Sequence, residues 1–176
     1  NLDILSEYSQ CKNCESIYRK YPKKLNKNLE VKSYNKNNYL PLKGNKIYNL
    51  LKQNYAKYEI KKIKKCLNFN FFNGKKVILD IACGNGYLIR EFAKNENCEC
   101  YGIDAYIDAR IENNVKFVRS SFENFKLIKK IKPDLIIMNN FIEHVEDLSK
   151  IKKFIGLMKK NSYLIIITPN ASSLGR

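Results

Sequence analysis

What this chain of 176 residues has little of narrows the field first. No apolar run approaches the roughly 20 residues that a membrane-spanning helix needs. The N-terminus lacks the basic, apolar and small-residue zones of a secretory signal. Taken together these absences predict a cytoplasmic protein. There is one histidine, His144, so imidazole chemistry has a single candidate. A phosphate-binding loop would need Gly-Lys-Ser/Thr, which does not occur, and a dinucleotide fingerprint would need a third glycine where Ile89 stands. Internal repeats are missing. Acidic residues are scarce, 17 against 33 Lys and Arg, which leaves a net charge of +16. Such a field can recruit polyanions. The cations are nearly all Lys, in a chain also rich in Asn, Ile and Tyr, so compositional bias is the first explanation and a polyanion site the second.

The most informative stretch present is Val77-Ile78-Leu79-Asp80-Ile81-Ala82-Cys83-Gly84-Asn85-Gly86-Tyr87-Leu88. It reads as a strand buried on both faces, an acid at its end, a Gly-x-Gly turn, and a helix beginning at Tyr87. The glycines permit unusual dihedrals and a close approach of backbone to ligand. A second apolar stretch, Cys100 to Ile103, ends in Asp104 about 20 residues past the glycines, where an acid can meet ribose hydroxyls. Acid, glycine turn and second acid, with no phosphate loop, suit a nucleoside ligand.

From about Lys75 onward the chain resembles class I S-adenosylmethionine-dependent methyltransferases, in particular the group that contains ubiquinone-biosynthesis O-methyltransferases and sugar or polysaccharide methyltransferases. The resemblance rests on Leu79 to Tyr87, Tyr101 to Asp104, Val115 to Val118, Asp134 to Val145 and Leu157 to Asn170, in the family's order. It implies an α/β, Rossmann-like, doubly wound sheet with parallel strands flanked by helices. It further implies S-adenosyl-L-methionine as cofactor, S-adenosyl-L-homocysteine as product, and a small-molecule acceptor carrying a hydroxyl. Asp80, Ala82, Cys83, Gly84 and Gly86 would hold the methionine end, Asp104 with Ala105 the ribose, and Ser121 with Phe122 the adenine. Asn139 would be a further cofactor contact; it and Asn140 read equally well as turn residues. Three positions depart from the pattern. Ala82 replaces the first glycine, Ser120-Ser121 the usual Gly-Asp, and Asn161-Ser162 a Gly-Gly turn that Asn, which tolerates positive φ, can still make.

His144, just beyond the fourth core strand, is the candidate base for an acceptor hydroxyl, with Glu143 beside it; its alternative is a packing or helix-start contact. Nucleic-acid methylation is the runner-up, favoured by charge and by tyrosines able to stack on bases. Against it, an Asn/Asp-Pro-Pro-aromatic block and a Pro-Cys nucleophile are both missing. A non-catalytic cofactor-binding relative is the third possibility.

The organisation expected is an irregular segment, 1–43, followed by a methyltransferase core, 44–176, with a leading helix over 45–67 and the cofactor-binding sheet over 75–176. Ile47, Leu50, Leu51 and Tyr58, then Ile60, Ile63 and Leu67, should give that helix its apolar face, and Cys66 is expected on an apolar face of it too. Another helix is expected over about 148–160, and at most a short one between Asp104 and Val115. Cys11 and Cys14 can form half a tetrahedral zinc site, with the other half upstream, or remain an unmetallated pair. The missing initial Met and the stop after one last strand, Tyr163 to Ile167, predict a fragment of a longer protein. It would lack the last two sheet strands. Oligomeric state is not legible.

Overall fold

The computed structural model describes residues 8–10, 12–13, 17–19, 46–68, 70–145 and 147–169. Within the segment expected to be irregular, β1 (Tyr8–Gln10) and β2 (Ile17–Arg19) pair antiparallel, Ser9 opposite Tyr18. Cys11 and Cys14, the candidate zinc ligands, fall between these strands in sequence but lie outside the described residues. Among the described residues no cluster of three or more potential metal ligands occurs, and no helix is long and apolar enough to cross a membrane.

The leading helix, α1 (Lys46–Cys66), is followed by β3 (Lys76–Ile81), α2 (Tyr87–Phe92), β4 (Cys98–Asp104), β5 (Arg110–Glu112) and β6 (Val115–Arg119). Then come α3 (Phe125–Ile131), β7 (Leu135–Asn139), a 3₁₀ turn (Ile142–His144), α4 (Leu148–Ile155) and β8 (Tyr163–Ile167). One six-stranded sheet has the order β5-β6-β4-β3-β7-β8, parallel throughout except for β5. This is the Rossmann-like architecture the sequence predicts. The chain winds outward from β3 through β4 to β6, then crosses back to β7 and β8. The reversal between β3 and β7 leaves a crevice outside their carboxyl ends, where sheets of this kind bind ligands.

Strand alternation divides the core between two layers. Ile78, Cys100, Leu135 and Ile137 face α1 and α2, whereas Leu79, Ile81, Ile103, Ile136 and Met138 face α3 and α4. Both faces are therefore dry, and the strands read as continuous apolar runs for that reason.

Four local features differ from the sequence expectations. Between Asp104 and Val115 the chain makes no helix but a hairpin, with Glu112 opposite Val115 and Asn113 and Asn114 at φ 48° and 64°. Two consecutive left-handed residues are what a two-residue hairpin turn requires, and Asn adopts them more readily than most. Helix α4 ends at Ile155, before Gly156, rather than near residue 160. Cys66, expected on an apolar helix face, is exposed at the end of α1. The largest difference is in α1 itself, where Ile47, Leu50, Leu51 and Tyr58 are 73%, 57%, 64% and 61% exposed. Its buried residues are Ala56, Glu59, Ile60 and Ile63. Length gives the reason. A 21-residue helix runs about 30 Å, while the six residues of β3 cover about 20 Å. The N-terminal half of α1 therefore overhangs the sheet at its ligand-binding edge.

Candidate functional site

The turn after β3 is built on left-handed backbone. Ala82, Gly84 and Gly86 have φ of 55°, 52° and 72°. Ala82 is the one residue of the three that has a Cβ, which makes that conformation costly by about 1 kcal/mol; this is where the family pattern favours glycine. The turn is tied down by backbone bonds from Cys83 N–H to Ile103 O (3.1 Å) and from Gly86 N–H to Cys83 O (2.8 Å). Gly86 needs its missing side chain for packing as well as for φ. A Cβ there would lie 2.4 Å from Cε1 of Phe117, and one on Gly102 would lie 2.8 Å from Sγ of Cys83. The Phe117 ring thus lies beneath both glycines. Guanidinium groups of Arg90 and Arg110 sit 5.1 and 4.1 Å from its centroid, and Glu112 bridges the two arginines at 2.9 and 3.0 Å.

Asp80 and Asp104 end adjacent strands and are both buried, at 2% and 4% exposure. The carboxylate of Asp104 accepts the Gly84 N–H (3.0 Å) on one oxygen and the Tyr106 N–H (2.8 Å) on the other. It therefore fixes the loop. A carboxylate has about four lone-pair sites, which leaves capacity for ligand hydroxyls. Burial first, and the neighbouring Asp104 charge second, push the Asp80 carboxyl up to about 8. Burial, then the Asp80 and Asp104 charges, push the Cys83 thiol well above its ordinary value. Cys83 accordingly stays a neutral packing group against Gly102.

Two cavities open at this edge. The first, about 230 Å³, holds Asp80, Cys83 and Gly84 on one side and the α1 residues Tyr48, Lys52 and Tyr55 on the other. The second, about 490 Å³, holds Asp104, Ala105, Ser121, Phe122, Phe141 and His144. They share Ala82, Asn139 and Asn140, so they are two halves of one cleft. Phe122 and Phe141 meet edge to face, centroids 5.0 Å apart, and give the second half an apolar wall. Ser121 is exposed, and its Oγ accepts the Glu123 N–H at 3.2 Å. His144 is exposed at the rim of the same half, whereas Glu143, also exposed, lines neither half.

Every expected cofactor residue except Gly86 lines this cleft; Gly86 lies buried behind the loop. Residues the sequence did not point to are Tyr48, Lys52 and Tyr55. They come from a helix some 30 positions upstream of the glycine loop, and no local motif marks them. Burial and the Glu59 charge raise the Tyr55 phenol above its ordinary range, partly offset by the Asn139 side chain. Between the two halves, Oδ1 of Asn139 is buried without a hydrogen-bond partner among the described residues. A buried acceptor left unpaired costs on the order of 1–3 kcal/mol, which a ligand donor at the junction would recover. S-adenosyl-L-methionine fits what is here. It has an ammonium for the buried Asp80, ribose hydroxyls for Asp104 and a flat apolar base for the Phe122–Phe141 wall.

Residues 54–176 match the family model described as a methyltransferase domain. A solved methyltransferase from an antibiotic biosynthesis pathway of Anabaena variabilis is similar in fold, with a TM-score of 0.52 and 22% identity over 63% of this chain and 44% of that one. MycE methyltransferase of the mycinamycin biosynthetic pathway, solved with Mg and SAH, gives a TM-score of 0.46 and 14% identity over 68% of this chain and 34% of its own. The antibiotic-resistance methyltransferase Kmr gives 0.42 and 18%, over 60% and 69%. This chain thus spans less than half the length of the first two. No curated protein matches it. The family match covers well over half of the chain and includes the glycine loop and both buried acids, and the chain belongs to the methyltransferase domain family.

Proposed function

We propose that this protein transfers the methyl group of S-adenosyl-L-methionine to a hydroxyl of a small molecule in the cytoplasm. The acceptor class is a sugar, a polysaccharide precursor or a quinone-like compound. The observation that carries this is the pair of buried acids, Asp80 and Asp104, on adjacent strand ends either side of a left-handed glycine loop, each opening into one half of a shared cleft. Bound there, the cofactor supplies an electrophilic methyl group on a sulfonium. The chain's own residues then have positional work to do. Asp80, ionised by pairing, accepts the ammonium. Asp104 accepts ribose hydroxyls while it holds Gly84 in place. Ala105, Phe122 and Phe141 cover the nucleoside, and Asn139 offers its unpaired Oδ1 at the junction. His144, at the rim, takes the proton of the acceptor hydroxyl as the new bond forms.

Calorimetric titration with S-adenosyl-L-homocysteine tests the cofactor half, with Asp104→Ala as control. Micromolar binding to the wild type, abolished in the variant, is the expected result; a folded wild type that takes up no ligand refutes the proposal. An acceptor screen with labelled cofactor tests the other half. Turnover of hydroxylated small molecules, reduced about 10²–10⁴-fold in His144→Ala, is expected. Methylation of RNA alone would overturn the acceptor assignment.

A further inference from the structure

Behind the cleft, a run of charged side chains joins the two loops that form its floor. Arg110 stands opposite Phe117 across the β5–β6 pair. Glu112, two residues on along β5, falls on the same face. One oxygen of Glu112, Oε2, accepts from Nε of Arg110 at 3.0 Å and from Nη2 of Arg90 at 2.9 Å. Each arginine then reaches one loop. Nη1 of Arg90 donates to the carbonyl of Asn85, between the two loop glycines. Nη1 of Arg110 donates at 3.1 Å to the carbonyl of Asp108, in the segment that follows Asp104. Asn85 lines the first half of the cleft, and Ala105 and Tyr106 line the second. Glu112 itself lines neither half. Hydrogen bonds from Arg90 first and Arg110 second hold its carboxyl below the ordinary value. Without that carboxylate, two guanidinium groups against one phenyl ring would repel, and each would lose the partner that aims it. Partly exposed ion pairs add little to global stability, so what this one contributes is geometry.

We propose that Glu112 is a positioning residue for cofactor binding: through Arg90 and Arg110 it clamps the glycine loop and the loop after Asp104 at the spacing the cofactor spans. This rests on the methyltransferase reading. It gives the β5 hairpin a task, since the hairpin carries Arg110 and Glu112 to the back of the glycine loop. Because both arginines share one carboxylate oxygen, the three residues act as a unit, and loss of any member releases both loops.

The test is calorimetric binding of S-adenosyl-L-homocysteine to wild type, Glu112→Met, Arg110→Met and the double variant, with hydrogen exchange read at residues 83–86 and 105–108. The Glu112 and Arg110 side chains are 40% and 35% exposed, so both single variants should fold, and thermal melts check this. Each single variant should bind about three- to tenfold more weakly. The double variant should be no weaker than the worse single one within about twofold, as members of one unit require. Exchange in both loops of the unliganded protein should quicken in each single variant. The two substitutions change net charge in opposite directions, so an effect of charge alone would shift affinity in opposite directions. That outcome overturns the proposal. So do an affinity within twofold of wild type in either folded single variant, losses that multiply in the double variant, and faster exchange confined to the hairpin. Should Glu112→Met not fold, Arg110→Met carries the same affinity and exchange test alone. A folded wild type that binds no S-adenosyl-L-homocysteine refutes the methyltransferase reading instead.

Discussion

The β3–β4 floor of the cleft and the α1 wall that faces it are made from different kinds of contact. On the floor, Asp104 spends both oxygens on backbone N–H groups, Gly86 lies against the Phe117 ring, and Asp80 is buried beside a second acid. Each atom is over-determined, and strain and desolvation are held in place by the surrounding sheet. On the wall, Tyr48, Lys52 and Tyr55 project from a half-helix whose other apolar residues meet solvent. One side-chain bond, from the Tyr87 hydroxyl to Asn49 Oδ1 at 2.6 Å, fastens that half to α2. The lesson is that the same cleft separates preorganisation from adaptability. Substitutions that overfill or untie the floor should cost folding and binding together, whereas those on the wall should leave folding intact.

The largest effect should come from Gly86→Ala. The added methyl group meets an aromatic carbon at 2.4 Å on a residue with φ of 72°, so it combines overpacking with left-handed strain. Overpacking costs about 1–3 kcal/mol and the dihedral about 1–2 kcal/mol, so a destabilisation of about 2–5 kcal/mol is expected in urea unfolding. Phe117→Leu in the same background should return part of it, because the ring is the obstacle. A neutral Gly86→Ala would mean that the loop yields easily, and the contrast between floor and wall would fail at its strongest point.

Asp80 sharpens the comparison through pH. Its carboxyl rises from 3.8 in the open chain to about 8 in the fold. Between those values the folded protein holds a proton that the unfolded chain has released, so stability from this group is full below pH 4 and lost progressively as pH rises through 8. The wild type without ligand should therefore soften over that window by an amount on the order of a few kcal/mol. Asp80→Asn should flatten the profile and melt higher than wild type at pH 8. The same substitution should abolish S-adenosyl-L-homocysteine binding. In the wild type, binding near pH 7 should release close to one proton, seen as a dependence of the calorimetric heat on buffer ionisation enthalpy. A wild-type melting profile that is flat between pH 5 and 9 would show that Asp80 ionises at its ordinary value.

How much of this was legible in sequence follows the same division. Asp80, Gly84, Gly86 and Asp104 could be read because strand, turn and helix follow one another without a gap, and the chemistry of that turn is local. The parallel sheet could be read because both faces of β3 and β7 are apolar. Tertiary facts could not. The reason for glycine at Gly86 is as much the Phe117 ring, about 30 positions away, as any ligand. The Asn113-Asn114 turn that makes β5 a strand is a local signal of the hairpin kind, outweighed by the expectation of a short helix. Lys52 and Tyr55 reach the cleft only because of where α1 docks and how far it overhangs, and neither quantity is written in α1. The spacing of Ile47, Leu50 and Leu51 was a sound indication of helix but a poor one of which residues meet the sheet.

The smallest effect expected, and the one that tests the wall most directly, is that of Leu51→Ser. Leu51 is 64% exposed, so its loss removes little buried area, and a surface substitution of this kind changes stability by about 0.5 kcal/mol or less. Helix propensity changes against serine by a similar amount. Unfolding of Leu51→Ser should thus overlay the wild type within about 1 kcal/mol, at every protein concentration. A loss of 2 kcal/mol or more would be too large for a solvated leucine. It would mean that the N-terminal half of α1 is covered in solution, and that the wall of the cleft is held as firmly as its floor. The concentration series then separates the two ways of covering it. A second copy would make the loss grow as the protein is concentrated, and cover from within the chain would leave it constant.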